Sequence, residues 1–361
     1  MTDISTLSPG WGTGARDRGP AGPDASQRAA RGAAGGIYAA LDLGTNNCRL
    51  LVARPTADGF RVIDAFSRIV RLGEGLSLTG RLSDAAIART FEALRICRDK
   101  MVARGVTRAR TIATEACRAA ANGADFVNDV RQRLGIELEI VDRQTEAHLA
   151  AAGVGELADR DARAIVMFDI GGGSSEIIWL AVDPASRRAS RVQAWESLRL
   201  GVVSLAETFG GVDVSEEVFE TMTAHVAEAL APFAARVADE ARCERFHLLG
   251  TSGTVTTIAG VHLNLPRYDR KAVDGLWLGR PEVDAAVARL RAMSYAERTA
   301  NACIGRERAD LVLAGCAILE AIRSHFPAER LRIADRGLRE GILSQMMRED
   351  AVGPHRRPRW R

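Results

Sequence analysis

The chain has 361 residues, 47% of them hydrophobic and 26% charged, and its 49 Lys and Arg residues against 46 Asp and Glu residues give a net charge of +3. This length and composition predict a globular protein of roughly two domains. The charge is too small for bulk attraction to nucleic acid or to a membrane, so neither is expected as a partner. A polyanion would have to be bound by locally placed side chains.

The first 36 residues and the cysteines indicate where the protein works. Residues 1–36 are rich in Gly, Ala, Arg and Pro and lack the apolar run of a secretory signal, so we interpret them as a disordered leader. Six cysteines without CxxC spacing indicate buried thiols in a reducing compartment. No segment has the roughly 18 uninterrupted apolar residues of a membrane span. We therefore expect a soluble cytoplasmic protein.

Strands and helices alternate along the first part of the chain. From Ile37, IYAALDLGTNNCRLLVARP predicts two strands joined by a tight polar turn, and GFRVIDAFSRIVRLG predicts a third strand. Ser83 suits the N-cap of a helix that ends before Gly105. A short strand then leads into a helix at TEACRAAAN, and a strand ending at Asp142 leads into a helix that begins near Thr145. This alternation predicts an α/β domain whose ligand lies at the strand ends.

The pattern restarts at FDIGGGSSEIIW. Aligned with LDLGTNNCRLLV, it places Asp169 over Asp42 and Gly171 over Gly44, with the two copies 127 residues apart. Each copy has an apolar strand, a tight turn and a second apolar strand, which indicates one fold repeated around a shared cleft. Further on, HLLGTSGTVTTIAGV predicts a strand, a turn and a helix whose N-terminus presents backbone N–H groups. LRIADRGLREGILSQMM predicts a closing strand and helix.

The turn in DIGGGSSE has the composition of an anion site. Glycine permits the left-handed conformation and a close approach of a ligand to the backbone. Gly171, Gly172 and Gly173 can therefore direct N–H donors at a phosphate, to which Ser174 and Ser175 add hydroxyl donors.

The acids that flank this turn predict a cation. If Ile170 pairs with Ser175, then Asp169 and Glu176 are cross-strand neighbours about 4.5–5.5 Å apart at Cβ. Two carboxylates at that separation need a positive charge, and we expect an oxygen-ligated Mg²⁺ bridging them and phosphate oxygens. The alternative is an ordinary glycine-tight hairpin with Glu176 in solvent.

Polar residues elsewhere have two interpretations each. Asp42 with Thr45, Asn46 and Asn47 can hold a phosphate or a metal-bound water, or the asparagines can supply left-handed conformations that a hairpin needs. Arg118 lies where a strand passes into a helix, and its guanidinium fork suits a phosphate, although a surface arginine fits equally well.

Glu146 opens the helix after Asp142 and can project into the cleft. A carboxylate there can take a proton from an attacking water, and the simpler alternative is favourable pairing with the helix dipole. The sequence has no GxxxxGK[ST], GxSxG or HExxH motif, which excludes P-loop, serine α/β-hydrolase and zinc-protease chemistry.

Seven motifs in this order resemble the exopolyphosphatase and guanosine pentaphosphate phosphatase (Ppx/GppA) family: LDLGTNNCRLLV, ATEACRAAANGADF, VDRQTEAHLAAAGV, FDIGGGSSEII, SLRLGVVSL, LGTSGTVT and ADRGLREGIL. The resemblance runs from about Ile37 to Met347. It implies an α/β fold of two ribonuclease H-like domains, of the acetate and sugar kinase, Hsp70 and actin type, facing a central cleft. We expect these domains at 37–143 and 144–332, a closing helix at about 333–348 packing back on the first, and a basic flexible tail at 349–361.

The resemblance also implies roles for the matching residues. Glu146 is the expected catalytic base, and Asp169 and Glu176 are the expected metal-linked acidic residues of the catalytic site. We expect Asp42 as a further metal ligand. The implied phosphate contacts are Gly44, Thr45, Asn46, Asn47, Arg118, Gly171, Gly172, Gly173, Ser174 and Ser175.

The activity that the resemblance implies is removal of the terminal phosphate from inorganic polyphosphate, with pppGpp as a second substrate, using Mg²⁺ and water. Homodimers occur in the family, and one is expected here. This chain resembles the short members that lack a C-terminal helical domain, and it has Asp274 where relatives often have histidine, which would repel a polyanion if it lined the path. Two alternatives stay open: an ATP- or ADP-dependent phosphotransferase of the same fold, and a non-catalytic sensor of polyphosphate or guanosine polyphosphates.

Overall fold

Two mixed β-sheets organise the computed structural model, which describes residues 36–57, 59–159, 161–183, 189–243 and 245–352. The predicted leader lies outside these ranges except for its last residue. No helix in these ranges is both long enough and apolar enough to cross a lipid bilayer. The five cysteines whose side chains are described are free and buried, as predicted.

The first sheet has five strands. They are β1 (Tyr38–Leu43), β2 (Asn47–Thr56), β3 (Gly59–Ile69), β4 (Arg108–Ala113) and β5 (Leu138–Ile140). Their order is β3-β2-β1-β4-β5. β1 to β3 form an antiparallel meander, whereas β4 is parallel to β1 and β5 to β4.

The second sheet repeats this topology. Its strands are β6 (Ala164–Ile170), β7 (Ser175–Val182), β8 (Ala189–Leu198), β9 (Phe246–Thr251), β10 (Trp277–Gly279) and β11 (Arg330–Ala334). Their order is β10-β11-β9-β6-β7-β8. Strands β6, β7, β8, β9 and β11 correspond to β1, β2, β3, β4 and β5 of the first sheet, and they pair in the same directions. β10 adds an antiparallel edge. The predicted α/β fold written twice is therefore confirmed.

The helices lie between and outside the sheets. They are α1 (Leu76–Thr79), α2 (Asp84–Ala103), α3 (Glu115–Ala119), α4 (Gly123–Leu134), α5 (Arg143–Val154), α6 (Val202–Phe209), α7 (Glu216–Arg236), α8 (Ala238–Cys243), α9 (Gly253–His262), α10 (Arg270–Val273), α11 (Arg280–Ala292), α12 (Tyr295–Ala300), α13 (Val312–His325) and α14 (Leu338–Val352), with a 3₁₀ turn at Gly155–Leu157. Ser83 caps α2 as predicted. α5 begins two residues before the predicted start because the Asp142 side chain accepts a hydrogen bond from the Thr145 amide and caps the helix.

α5 and α14 pack against each other between the two sheets. Their contact is close enough to need glycine, since a Cβ on Gly341 would lie 1.8 Å from the Leu149 carbonyl oxygen. α14 places Ile342 and Leu343 in the apolar cluster of the first sheet. α5 places Ala147 in a cluster with the second sheet. The helix pair therefore joins the sheets, and the predicted domain boundaries at 143 and 332 stay a prediction.

The predicted tail begins later than expected. α14 continues to Val352, so residues 349–352 are helical, and Arg108 pairs with both Glu349 and Asp350. The rest of the predicted tail lies outside the described residues.

Candidate active site

A cavity of about 870 Å³ lies where the carboxyl ends of β1, β4, β6, β9 and β11 meet. Twelve of the predicted site residues line it: Asp42, Gly44, Thr45, Asn46, Asn47, Glu146, Asp169, Gly171, Gly172, Gly173, Ser174 and Glu176. Two predicted phosphate contacts, Arg118 and Ser175, are not on its wall. The Ser175 hydroxyl donates to the Leu200 carbonyl at 2.7 Å and is used within the fold.

The two repeated turns have the same hydrogen bonding. The Gly44 amide donates to the Asn47 carbonyl at 2.9 Å, and the Gly171 amide donates to the Ser174 carbonyl at 3.0 Å. Inside each turn two N–H groups, those of residues 45 and 46 and of residues 172 and 173, donate to no residue of the described chain. Each turn thus offers a pair of unused donors of the kind that hold phosphate oxygens.

Close packing explains the glycines of the second turn. A Cβ on Gly172 would lie 3.1 Å from Thr45 Cβ, and one on Gly173 would lie 2.8 Å from Thr45 Oγ1. On the other side, a Cβ on Gly201 would lie 2.3 Å from the Gly172 carbonyl oxygen. The two turns therefore touch each other, and side chains between them would push them apart.

The left-handed conformation, one of the two interpretations open for the asparagines and one that glycine permits, is not the one these turns adopt. Within the described ranges, neither the glycines at 171–173 nor Asn46 and Asn47 have a positive φ. The asparagines are instead notable for their side chains, because Asn46 Oδ1 and Asn47 Oδ1 are buried and find no hydrogen-bond partner in the described part of the chain. Buried polar atoms of this kind are normally satisfied by water, an ion or a ligand.

Three carboxylates in the cavity are buried or half-buried, and burial raises the pKa of each. Asp169 and Glu176 are paired across β6 and β7, as predicted from the hairpin register. Burial raises the pKa of Asp169 to about 6, although the positive charge of Arg49 opposes the rise. Burial and the neighbouring Asp169 charge raise the pKa of Glu176 to about 7. Burial also raises the pKa of Asp42, which Arg49 faces across the strands.

The oxygen donors fit a magnesium ion that is held partly by substrate. No group of three or more His, Cys, Asp and Glu side chains within the described residues is close enough to hold a metal ion alone. Mg²⁺ typically binds to one or two carboxylates together with water and substrate phosphates. Asp169 and Glu176 can supply the carboxylates. Ser174 and Ser197 each donate to Glu176 Oε1, at 2.8 and 2.9 Å, and orient that carboxylate. Asp42 as a third ligand stays a prediction.

Glu146 is held by an arginine rather than left free. Nη1 and Nη2 of Arg118 both donate to Glu146 Oε2 at 3.2 Å, and the same guanidinium donates to Glu115 Oε2 at 2.6 Å and to the Val141 carbonyl at 2.6 Å. Burial raises the pKa of Glu146 well above its usual range, the Glu176 charge adds to this rise, and Arg118 opposes it. Arg118, predicted to contact phosphate, therefore reaches the site as the partner of the expected base.

Seven arginines line the same cavity, and none of them is among the site residues predicted from the sequence. Arg270 and Arg336 pair with Glu340 and Asp274. The other five are Arg49, Arg68, Arg306, Arg308 and Arg339. None of these five makes an ion pair with a residue of the described ranges. Burial lowers the pKa of the Arg308 and Arg339 guanidinium groups, and the positive charge of Arg49 lowers both further.

One of these arginines had a signal in the sequence. The 127-residue repeat places Arg49 over Glu176, so the first copy presents a cation where the second copy presents an acid. Arg339 lies in the motif ADRGLREGIL, but nothing in that motif predicts that its side chain enters the cleft. Arg306 and Arg308 lie in none of the seven motifs, and only the packing brings them there.

Asp274 does not line this cavity. Its carboxylate accepts from Arg336 Nε at 3.1 Å and from the Asp335 amide at 3.0 Å. The repulsion of a polyanion expected from this residue therefore does not apply here, because its charge is paired and lies off the cavity wall.

Comparison with known proteins assigns the chain to a family. The model of the Ppx/GppA phosphatase family matches residues 51–350. This chain belongs to the Ppx/GppA phosphatase family. A solved Ppx/GppA member from Aquifex aeolicus is 25% identical with a TM-score of 0.70, and covers 87% of this chain and 98% of its own.

Two further solved structures are similar over the same share of each chain, 87% of this one and 98% of theirs. An exopolyphosphatase from Cytophaga hutchinsonii is 23% identical with a TM-score of 0.78 and shows the same fold. An exopolyphosphatase-like protein is 27% identical with a TM-score of 0.75. The predicted family and fold are confirmed, and membership of a phosphatase family is consistent with the predicted hydrolase class.

Proposed function

We propose that this Ppx/GppA protein is an exopolyphosphatase that hydrolyses the terminal phosphate of inorganic polyphosphate, with Mg²⁺ as its cofactor. The observation that carries the proposal is the charge pattern of one cavity. Buried and half-buried carboxylates lie on the strand ends, and five arginines that make no ion pair with any described residue line the same space. A linear polyanion that bears a cation at its reacting end complements both sets.

The chain's own residues supply three parts of the reaction. Glu146 takes a proton from the attacking water, whose oxygen forms the new bond to the terminal phosphorus while the bond to the bridging oxygen breaks. The free amides of the two turns stabilise the charge on the phosphoryl oxygens. Arg118 keeps the Glu146 carboxylate in place. The leaving group is the shortened polyphosphate, and pppGpp offers the same terminal phosphate chemistry as a second substrate.

A bound Mg²⁺, held by Asp169 and Glu176, would neutralise phosphate charge and so favour both binding and departure of the leaving group. Removing it should therefore abolish hydrolysis. We expect phosphate release from long-chain polyphosphate in Mg²⁺, loss of that release in EDTA, and recovery when Mg²⁺ is restored.

The same assay separates the proposal from its alternatives. Parallel reactions with pppGpp compare the two substrates, and reactions with ADP measure ATP formation. ATP formation faster than phosphate release would identify a phosphotransferase. Tight polyphosphate binding without release from either substrate would identify a sensor.

Arg308 should contribute to substrate affinity. Replacing it with glutamine removes a charged donor from the cavity, so we expect KM for polyphosphate to rise about tenfold or more with kcat changed only a few fold. Arg308→Lys keeps the charge without the planar guanidinium, so its KM should lie between those of wild type and Arg308→Gln. KM measured at two salt concentrations checks the charge argument, because the arginine's contribution should weaken as salt rises. An unchanged KM in Arg308→Gln would remove this residue from the substrate path.

A further inference from the structure

An ion pair joins the two halves of the molecule at the cleft. Arg71 follows β3 in the first half, and its guanidinium donates to Asp310 in the second half through Nη1 at 3.0 Å and Nη2 at 2.9 Å. Nη2 also donates to the Glu307 carbonyl at 3.0 Å. The side chains of Arg71 and Asp310 are only 30% and 24% exposed, so this bidentate pair is partly shielded from solvent screening.

Arg71 adopts a backbone conformation that arginine disfavours. Its φ is +47°, and only two other non-glycine residues in the described ranges have a positive φ. A non-glycine residue is held in this region only where the surrounding contacts impose it.

A second contact crosses the cleft nearby. The Gly75 amide donates to Glu207 Oε1 at 2.8 Å, and the Ser77 hydroxyl donates to Glu207 Oε2. Glu207 lies on α6 of the second half. We call the contacts of Arg71 with Asp310 and Glu307, and those of Glu207 with the 75–77 segment, the clasp.

Each side of the clasp is attached to a turn of the active site. In the first half, the Arg71 and Gly73 amides donate to the carbonyls of Asn46 and Thr45 at 3.1 and 2.9 Å. In the second half, α6 begins with the Val202 amide donating to the Gly171 carbonyl at 2.9 Å.

Asp310 connects the clasp to the cavity arginines. It lies two residues beyond Arg308 and four beyond Arg306, both on the cavity wall. The clasp therefore holds three parts of the site together. They are the turn at 44–47, the turn at 171–174 and the segment that carries Arg306 and Arg308.

We propose that the clasp positions the substrate-binding groups of both halves, with Arg71, Asp310 and Glu207 as its positioning residues. The expected effect on polyphosphate affinity rests on the proposed function. Breaking the clasp lowers the fraction of molecules in the binding-competent closed form, and the apparent affinity falls by that fraction. Bound substrate restores closure at saturation, so KM changes while kcat does not.

The first test measures kinetics. Arg71→Ala should raise KM for polyphosphate about tenfold and leave kcat within about twofold. Arg71→Lys should lie between wild type and Arg71→Ala because it keeps the charge but not the fork. The exchange Arg71→Asp with Asp310→Arg should recover part of the loss. Glu207→Ala, on the other side of the cleft, should raise KM in the same way and serves if the Arg71 variants do not fold.

The control is an ion pair of similar geometry that lies away from the cleft. Arg110 binds Glu139 through two hydrogen bonds, at 3.0 and 3.1 Å, between β4 and β5, and also donates to Gln345 on α14 at 3.2 Å. Arg110→Ala should leave both KM and kcat near the wild-type values. An equal KM change in this control, or a fall in kcat at unchanged KM in Arg71→Ala, would overturn the positioning role.

The second test needs no activity. Small-angle X-ray scattering of the substrate-free full chain should give a larger radius of gyration for Arg71→Ala than for wild type and for Arg110→Ala. An unchanged radius of gyration overturns the clasp. If wild type shows no phosphate release at all, the proposed function fails while this measurement still decides the clasp.

Discussion

Replacing Glu146 with glutamine should lower kcat for polyphosphate hydrolysis roughly 10³-fold, the middle of the range for loss of a general base, and change KM only a few fold. Glutamine keeps the shape of the side chain and an oxygen for Arg118 to bind, but it cannot accept a proton from water. Phosphate release under single-turnover conditions measures the effect on the chemical step.

The matched control for this substitution is Glu115→Gln. Glu115 is the other carboxylate that binds the Arg118 guanidinium, at 2.6 Å, and it does not line the cavity. If Glu146 acts as the base, the kcat of Glu115→Gln should fall by about tenfold at most, because Arg118 is then held less firmly. Equal losses in the two variants would show that the arginine arrangement matters and that Glu146 is not the base.

The pH dependence follows from the same residue. Burial raises the pKa of Glu146, and a general base must be ionised to work. The kcat of wild type should therefore rise with pH through the pKa of this group, and the residual activity of Glu146→Gln should lack that limb. A residual activity with the same acid limb would assign the titration to another carboxylate.

The second large effect is expected at Glu176, where activity and stability should move in opposite directions. Glu176→Gln removes one of the two carboxylates proposed to hold Mg²⁺, so hydrolysis should fall by roughly 10² or more. In EDTA at pH 8, the same variant should be more stable than wild type by about 2–3 kcal/mol, because it no longer buries a carboxylate next to Asp169.

The sign of the stability effect comes from the two pKa values of Glu176. Folding raises the pKa from 4.5 to about 7, so between these pH values the folded protein keeps a proton that the unfolded chain releases. The stability of wild type should therefore fall as pH rises from about 4.5 to about 7, and the loss should be complete above that range. Melting temperatures in EDTA should separate wild type from Glu176→Gln at pH 8 and bring them together near pH 5.

Magnesium provides the discriminating comparison. Adding Mg²⁺ at pH 8 should raise the melting temperature of wild type more than that of Glu176→Gln, because the ion stabilises the paired carboxylates. Glu196→Gln is the control, since Glu196 lies on the neighbouring strand and pairs with Arg236 at the surface. Equal Mg²⁺ shifts in wild type and Glu176→Gln would place the ion elsewhere.

Local pattern was enough to predict the strand pairs and the acidic hairpin. The side-chain period of a strand is two, so once Ile170 pairs with Ser175, Asp169 must face Glu176, and the observed register has both pairs. The repeat at Asp42 was also predictable from local sequence, because each copy contains its turn and both flanking strands within about a dozen residues.

The conformation of the turns was not predictable in the same way. Glycines at 171–173 and asparagines at 46–47 are typical of left-handed turns, yet none has a positive φ. Gly172 and Gly173 are needed because Thr45 of the other turn lies against them, a contact between residues 127 or more positions apart. The conformational propensity of Gly and Asn describes an isolated turn. It carries no information about the residues from other parts of the chain that pack against that turn.

By itself, the sequence determined the family, the duplicated α/β fold and which acids share the cleft, because these depend on short motifs and on strand periodicity. Only the tertiary structure decided that Arg118 holds Glu146, that Arg49 and Arg308 line one cavity without an ion pair to any described residue, and that Arg71 reaches Asp310 across the cleft. The physical reason is distance along the chain: Arg71 and Asp310 are 239 residues apart, and only the packing of the two halves brings their charges together.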